Sequence, residues 1–175
     1  VAETELQYRS PYELAVAVVL SAQCTDKRVN MITPHFFRRF PDAATLAAAD
    51  PSAVFEQIRS CSYPNNKTKN LIAMAQVMTT RYGGSLPSDV TELQTIPGVG
   101  RKTANVLASV LFNRPVIAVD THVFRVAARL GLSTNAKTPL LTEQQLEKHI
   151  PENFRAIAHH WLILHGRYVC LARKP

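Results

Sequence analysis

The sequence lacks the roughly 20 consecutive apolar residues that a membrane-spanning helix requires, and its longest apolar run, Leu14 to Leu20, falls far short. No membrane partner is expected. Residues Val1 to Ser10 lack the basic, apolar and small-residue order of a secretory signal, and position 1 is not Met, so the chain is expected to begin partway into its gene product. Cysteine is sparse. Cys24, Cys61 and Cys170 are odd in number, widely spaced and without a C-x-x-C pair, which argues against a disulfide framework or a self-contained metal site. The same sparseness favours a reducing compartment, with the cytoplasm as the default. Acidic residues are outnumbered, 13 against 20 Lys plus Arg, for a formal charge of +7. That excess raises the prior for a polyanionic partner, nucleic acid first and an anionic membrane surface second. What is plentiful is apolar surface. With 46% of 175 residues hydrophobic and 19% charged, the chain can bury a core as one domain or two small lobes, and nothing in its composition suggests an oligomer.

Alternating strand patterns, internal repeats and low-complexity segments are also missing, whereas helical periodicity recurs between turn residues. The fold class is therefore all-α. Pro11 behind Ser10 opens a helix to Ser21, and Asp26 is read as the cap of a second, with Val29, Ile32, Phe36 and Phe37 on one face. Further helices are predicted after Asp42, over 52–59, 66–82 up to the Gly83-Gly84 stop, 89–95, 101–112, 121–130, 142–150 and 151–168, with Pro151 at the first position of the last. A short apolar stretch, Val116 to Val119, leads into Asp120.

The pattern breaks most sharply at Ile96-Pro97-Gly98-Val99-Gly100, ahead of Arg101-Lys102-Thr103-Ala104. Two glycines around one Val permit a tight hairpin with positive φ and close backbone approach, and the next helix offers unpaired N–H groups at its positive end. This is a phosphate cradle. It lacks Walker-loop spacing and joins helix to helix, so a nucleic-acid backbone is the expected anion. A plain helix-helix turn is the alternative, weakened by the neighbouring Arg101 and Lys102. From residue types alone, Lys102 reads as a phosphate contact or as a nucleophile.

The run L-x-x-I-P-G-V-G-R-K-T-A with V-D-T-H-V-F-R-V resembles the helix-hairpin-helix DNA glycosylases, specifically the endonuclease III family. The likeness extends to Leu20-Ser21-Ala22-Gln23 with Thr25-Asp26 and to the segment from His159 to Tyr168, nearly the whole chain in order. It implies a two-lobed helix-hairpin-helix DNA glycosylase fold with the active cleft between lobes. One lobe would span 5–113 and contain the hairpin at about 89–112; the other would comprise 114–175 plus 1–4.

The resemblance makes Lys102 the nucleophile, attacking sugar C1′ to form a Schiff base that permits β-elimination. Its amine is expected to be activated by burial beside a helix N-terminus and by Arg101. Asp120 matches the family's catalytic aspartate, steadying positive charge on the sugar and assisting proton transfer, and it is also a good N-cap for the helix that follows. Gln23 would fill the gap left by a flipped nucleotide. The second wedge loop, Ser62 to Lys67, departs from the family's Gly-Leu-Tyr pattern, leaving Tyr63 either to stack on a base or to pack against protein. Pro97, Gly98, Val99, Gly100, Arg101 and Thr103 are the hairpin's DNA-binding candidates, and Lys67, Lys69, Arg125 and Arg167 are further candidates for phosphate. His122, His159, His160 and His165 form no defensible metal set; His159 and His160 read as packing and hydrogen-bonding residues between the lobes.

The resemblance further implies a 4Fe-4S cluster held by C-x6-C-x2-C-x5-C, of which Cys170 matches the first ligand. One thiolate cannot hold four irons, so no cluster is expected to assemble in this chain, and loss at both ends is read as trimming. The implied function is bifunctional: glycosylase removal of oxidised pyrimidines from duplex DNA and lyase cleavage of abasic sites, by a monomer in a bacterial cytoplasm, associated with the nucleoid. The rivals are a monofunctional glycosylase, disfavoured by Lys102, and a non-catalytic helix-hairpin-helix DNA-binding module.

Overall fold

The computed structural model describes residues 4–173 as helices and connecting turns, with no strand among the described residues. The helices are α1 (Pro11–Ser21), α2 (Asp26–Arg39), α3 (Ala43–Ala47), α4 (Pro51–Ile58), α5 (Pro64–Tyr82), α6 (Val90–Leu93), α7 (Arg101–Phe112), α8 (Thr121–Arg129), α9 (Pro139–His149) and α10 (Glu152–Tyr168). None is long and apolar enough to cross a membrane. The chain divides into two compact units, one of Glu5–Ala104 and a second taking in Thr4 and the chain from Asn105 onward. The division falls inside α7, whereas the sequence places a boundary after 113.

In the first unit α5 is the central element, with α1, α3 and α4 packed on it and α2 on α1 and α4. Helix α1 is buried continuously from Leu14 to Leu20, which is why it reads as apolar on every face. Leu14, Leu20, Phe36, Leu46, Ile58, Leu71, Met74, Met78, Leu93 and Ile96 are its largest fully enclosed side chains. Ser10 caps α1 through the N–H of Glu13 at 3.2 Å, and Asp42 caps α3 through that of Thr45 at 2.7 Å. The cap of α2 is Thr25, whose Oγ1 accepts from Arg28 N at 3.2 Å; Asp26, expected there, stands in the first turn.

Proline explains three more departures from the expected boundaries. Helices α5 and α9 begin earlier than their periodicity suggests because Pro64 and Pro139 occupy first helical positions, where a missing N–H costs nothing. Pro151 instead sits one place outside α10, at the N-cap with ψ 143°.

In the second unit α8 packs on α10 and α9. Ile117, Val119, Val123, Val126, Ala127, Leu146, Leu162 and Cys170 form its core. Within the segment 116–119, residues 117–119 are buried without helical or sheet bonds of their own, so their carbonyls need partners from elsewhere. Asn105 Nδ2 donates to Ile117 O at 3.2 Å, and His159 Nδ1 lies 2.7 Å from Ala118 O. A carbonyl only accepts, so Nδ1 of His159 carries the proton. Both side chains are nearly inaccessible, and the bond of His159 lies within this unit, where the sequence reading set it between lobes. Gly166 brings α10 close to α8: a Cβ there would stand 3.0 Å from His122 Cβ and 3.1 Å from Val126 Cγ2.

Candidate active site

The hairpin follows directly from its residues. Asp89 Oδ1 accepts from Thr91 N and Glu92 N at 2.8 and 3.0 Å, opening the short α6. Leu93, Ile96 and Val99 are buried, and Val99 N closes the turn on Ile96 O at 3.0 Å. Gly98 has φ +80°, and a Cβ on it would meet Asn70 Cβ of α5 at 3.0 Å, so this position demands glycine for backbone and for space. Gly98→Ala is expected to cost about 1–3 kcal/mol in urea unfolding and to weaken duplex binding in a titration. Unchanged stability would show that the hairpin is free to move off α5.

Gly98 and Gly100 are exposed, Pro97 and Thr103 half-buried, and Arg101 exposed at the start of α7. Val99, a DNA-binding candidate, is only 4% exposed: its side chain anchors the turn, so only its backbone is left for a ligand. Lys102 is exposed in the first turn of α7, which corrects the expectation that burial activates its amine.

Two loops in the first unit are tied together. Gln23 and Tyr63 both adopt left-handed backbone, each with φ +53°, and both side chains are exposed, Tyr63 at 62%. Between them, Ser62 Oγ donates to Gln23 O at 2.5 Å, and Lys67 Nζ donates to Leu20 O at 2.8 Å and Ala22 O at 2.7 Å, with Ser62 Oγ at 3.4 Å. Lys67, expected on a phosphate, is thus 5% exposed and occupied with carbonyls at the end of α1. A cation there complements the negative end of the helix. Burial holds its ammonium below the ordinary lysine range. Lys67→Met leaves both carbonyls and Ser62 short of a donor, so a loss of roughly 2–4 kcal/mol is expected by denaturant unfolding. The salt slope of duplex binding should stay the same, because no phosphate contact is removed; a slope reduced by about one would return Lys67 to the phosphate candidates.

Asp120 is half-buried in the second unit at the N-cap of α8, its Oδ1 accepting from Val123 N at 2.8 Å. The clamp of Asn105 and His159 on the segment just before it fixes where that carboxylate starts. Arg125 also departs from expectation: its Nη2 donates to Gly166 O and Cys170 O at 2.7 and 2.9 Å, leaving it bound to the end of α10. Lys69 is exposed and Arg167 half-buried.

Cys170 is buried, its Sγ 3.2 Å from Arg129 Nη1. Among the described residues no three His, Cys, Asp or Glu side chains converge on a common point. Cys24 and Cys61 belong to the other unit. The residues present do not supply the four thiolates of a 4Fe-4S cluster.

Fold and hairpin together define a class, the HhH-GPD superfamily of base excision DNA repair proteins, whose family model matches residues 16–152. That span takes in Gln23, Tyr63, the hairpin, Lys102 and Asp120. An endonuclease III of Rickettsia felis is 46% identical over 173 residues, 99% of this chain and 81% of that protein. Two solved structures match with TM-scores of 0.95 each. One is an endonuclease III trapped in a covalent intermediate with DNA, 44% identical over 99% of this chain and 82% of the other. The second is a non-covalent endonuclease III–DNA complex, 43% identical over 99% and 81%. The chain belongs to the endonuclease III family.

The sequence does not point out Asn105, nor the loop-tying roles of Ser62 and Lys67. An Asn on the buried face of an apolar helix was the one available signal for the first.

Proposed function

We propose that this chain is a bifunctional DNA glycosylase and abasic-site lyase of base excision repair, taking oxidised pyrimidines from duplex DNA. The observation that carries the reading is a lysine in the first turn of the helix behind an I-P-G-V-G hairpin, in a chain 44% identical to an endonuclease III trapped covalently on DNA. In this reading the Lys102 amine attacks C1′ and the bond to the base breaks, the base leaving with a proton; the amine gives up a proton, the C1′–O4′ bond opens with O4′ taking a proton, and an iminium then joins Nζ to the sugar. Loss of a C2′ proton then breaks the bond from C3′ to its phosphate, and water releases the lysine.

Lys102 is exposed in the free protein, so the enclosure of its amine is assigned to the bound state, where duplex would cover it and exclude water. Asp120 is assigned the positive charge that builds on the sugar and the protons exchanged at Nζ. Its cap bond from Val123 holds the carboxylate in place. The nucleotide must leave the stack for any of this, and exposed Gln23 and Tyr63, on loops held by Ser62 and Lys67, suit the space it vacates. The hairpin amides and Arg101 would hold backbone phosphate. The protein would act as a monomer.

The test is an end-labelled duplex carrying one oxidised thymine, beside an undamaged duplex. Free base together with a nick at the lesion is expected. Base release without a nick would favour a monofunctional glycosylase, and tight binding with neither product would favour a non-catalytic module.

A further inference from the structure

The two loops that carry Gln23 and Tyr63 also bring together two thiols that the chemistry above leaves unused. Cys24 Sγ and Cys61 Sγ lie 4.0 Å apart across 37 residues of sequence, both as free thiols. Cys61 is 5% exposed, whereas Cys24 is half-buried, with a face toward solvent. Backbone turns hold each in place, Cys24 N on Ser21 O at 3.0 Å and Cys61 N on Ile58 O at 2.8 Å. The junction between the loops is already tied by Ser62 and Lys67. A covalent bond between the sulfurs would therefore reinforce an existing seam.

We propose that Cys24 and Cys61 are an oxidisable pair, converted by hydrogen peroxide to a disulfide that locks the Gln23 loop to the Tyr63 loop. The formation of this bond stands on geometry alone; its effect on turnover rests on the DNA-repair reading above. Cys24, reachable from solvent, acts first. Its thiolate sulfur attacks one peroxide oxygen, the O–O bond breaks, and Cys24 becomes a sulfenic acid as hydroxide leaves. Cys61 then attacks that sulfur, the S–S bond forms, the S–O bond breaks, and a second hydroxide departs. The two thiol protons end on the two hydroxides as water, and the two electrons lost by the sulfurs reduce the peroxide. Burial pushes the Cys61 thiol up to about 11, which leaves the first attack to Cys24, and the Lys67 ammonium beside it favours the thiolate that the second step needs. Closing from 4.0 Å to the about 2.05 Å of a disulfide requires one side chain to turn, and Cys24 is the less enclosed of the two.

The full chain is treated with hydrogen peroxide, the remaining thiols are alkylated, and peptides are mapped with and without dithiothreitol. A Cys24–Cys61 cross-linked peptide is expected, lighter by two hydrogens than its reduced parts, restored by dithiothreitol and absent from Cys24→Ala and Cys61→Ala. Full alkylation of both thiols after peroxide, or a Cys24 sulfinic acid in place of the cross-link, overturns the pair. On an abasic-site duplex the cross-linked chain is expected to nick several-fold more slowly than the same protein after dithiothreitol, with Cys61→Ala insensitive to peroxide. A fully cross-linked chain that nicks at the reduced rate overturns the lock as a control on turnover while leaving the disulfide established. A reduced chain that never nicks refutes the repair reading itself and does not touch the mapping result.

Discussion

Lys102→Ala is expected to lose nicking of an abasic-site duplex by at least ~10³-fold, because the only group assigned to bond with C1′ is gone. The fold should not notice. Lys102 is exposed in the first turn of α7, so the unfolding midpoint is expected to move by no more than a surface substitution allows, about 0.5 kcal/mol. Duplex affinity and its salt slope should change little, because backbone phosphate is assigned to the hairpin amides and Arg101. Single-turnover nicking and a binding titration on the same protein separate the two effects. A variant that nicks at the wild-type rate removes Lys102 from the chemistry; one that loses binding and nicking in equal measure makes it a phosphate contact.

The second large effect concerns Asp120, where the structural and the chemical demand can be separated. As N-cap of α8 it accepts from Val123 N at 2.8 Å, a role that asparagine fills about as well. Asp120→Asn therefore keeps the cap and removes the charge. Stability is expected to be unchanged while nicking falls by roughly 10²–10³-fold, the scale of losing one well-placed electrostatic group. Asp120→Ala loses the cap as well, adding about 1 kcal/mol of destabilisation. If Asp120→Asn nicks normally and only Asp120→Ala is impaired, the residue is a cap and nothing more.

The pair shows what residue patterns convey and where they stop. The hairpin was legible because its demands are local: a positive φ at Gly98 calls for glycine, and buried Leu93, Ile96 and Val99 repeat at turn spacing. Asp120 was legible as a cap, its demand being equally local. Helix starts failed where proline shifted them, at Pro64, Pro139 and Pro151, although each proline was itself a visible cue.

Lys67 failed for a different reason. A lysine near the start of a helix in a basic chain resembles a phosphate contact, and its actual acceptors lie 45 and 47 residues away. Arg125 repeats the lesson through acceptors 41 and 45 residues away. Burial of a charge depends on what folds over it, and periodicity on a single helix does not report that. The expected burial of Lys102 erred in the opposite direction, borrowing from the reaction's needs an enclosure that the protein alone does not supply. The clamp on segment 116–119 joins α7 and α10 through Asn105 and His159, a pairing set by tertiary structure and legible only there.

Peptide mapping of the adduct formed with an abasic-site duplex under borohydride tests the lysine chemistry most directly. A reduced sugar remnant is expected on the peptide that contains Lys102, with no adduct from Lys102→Ala. A remnant on another lysine, or wild-type protein that binds the duplex and traps nothing, would contradict it.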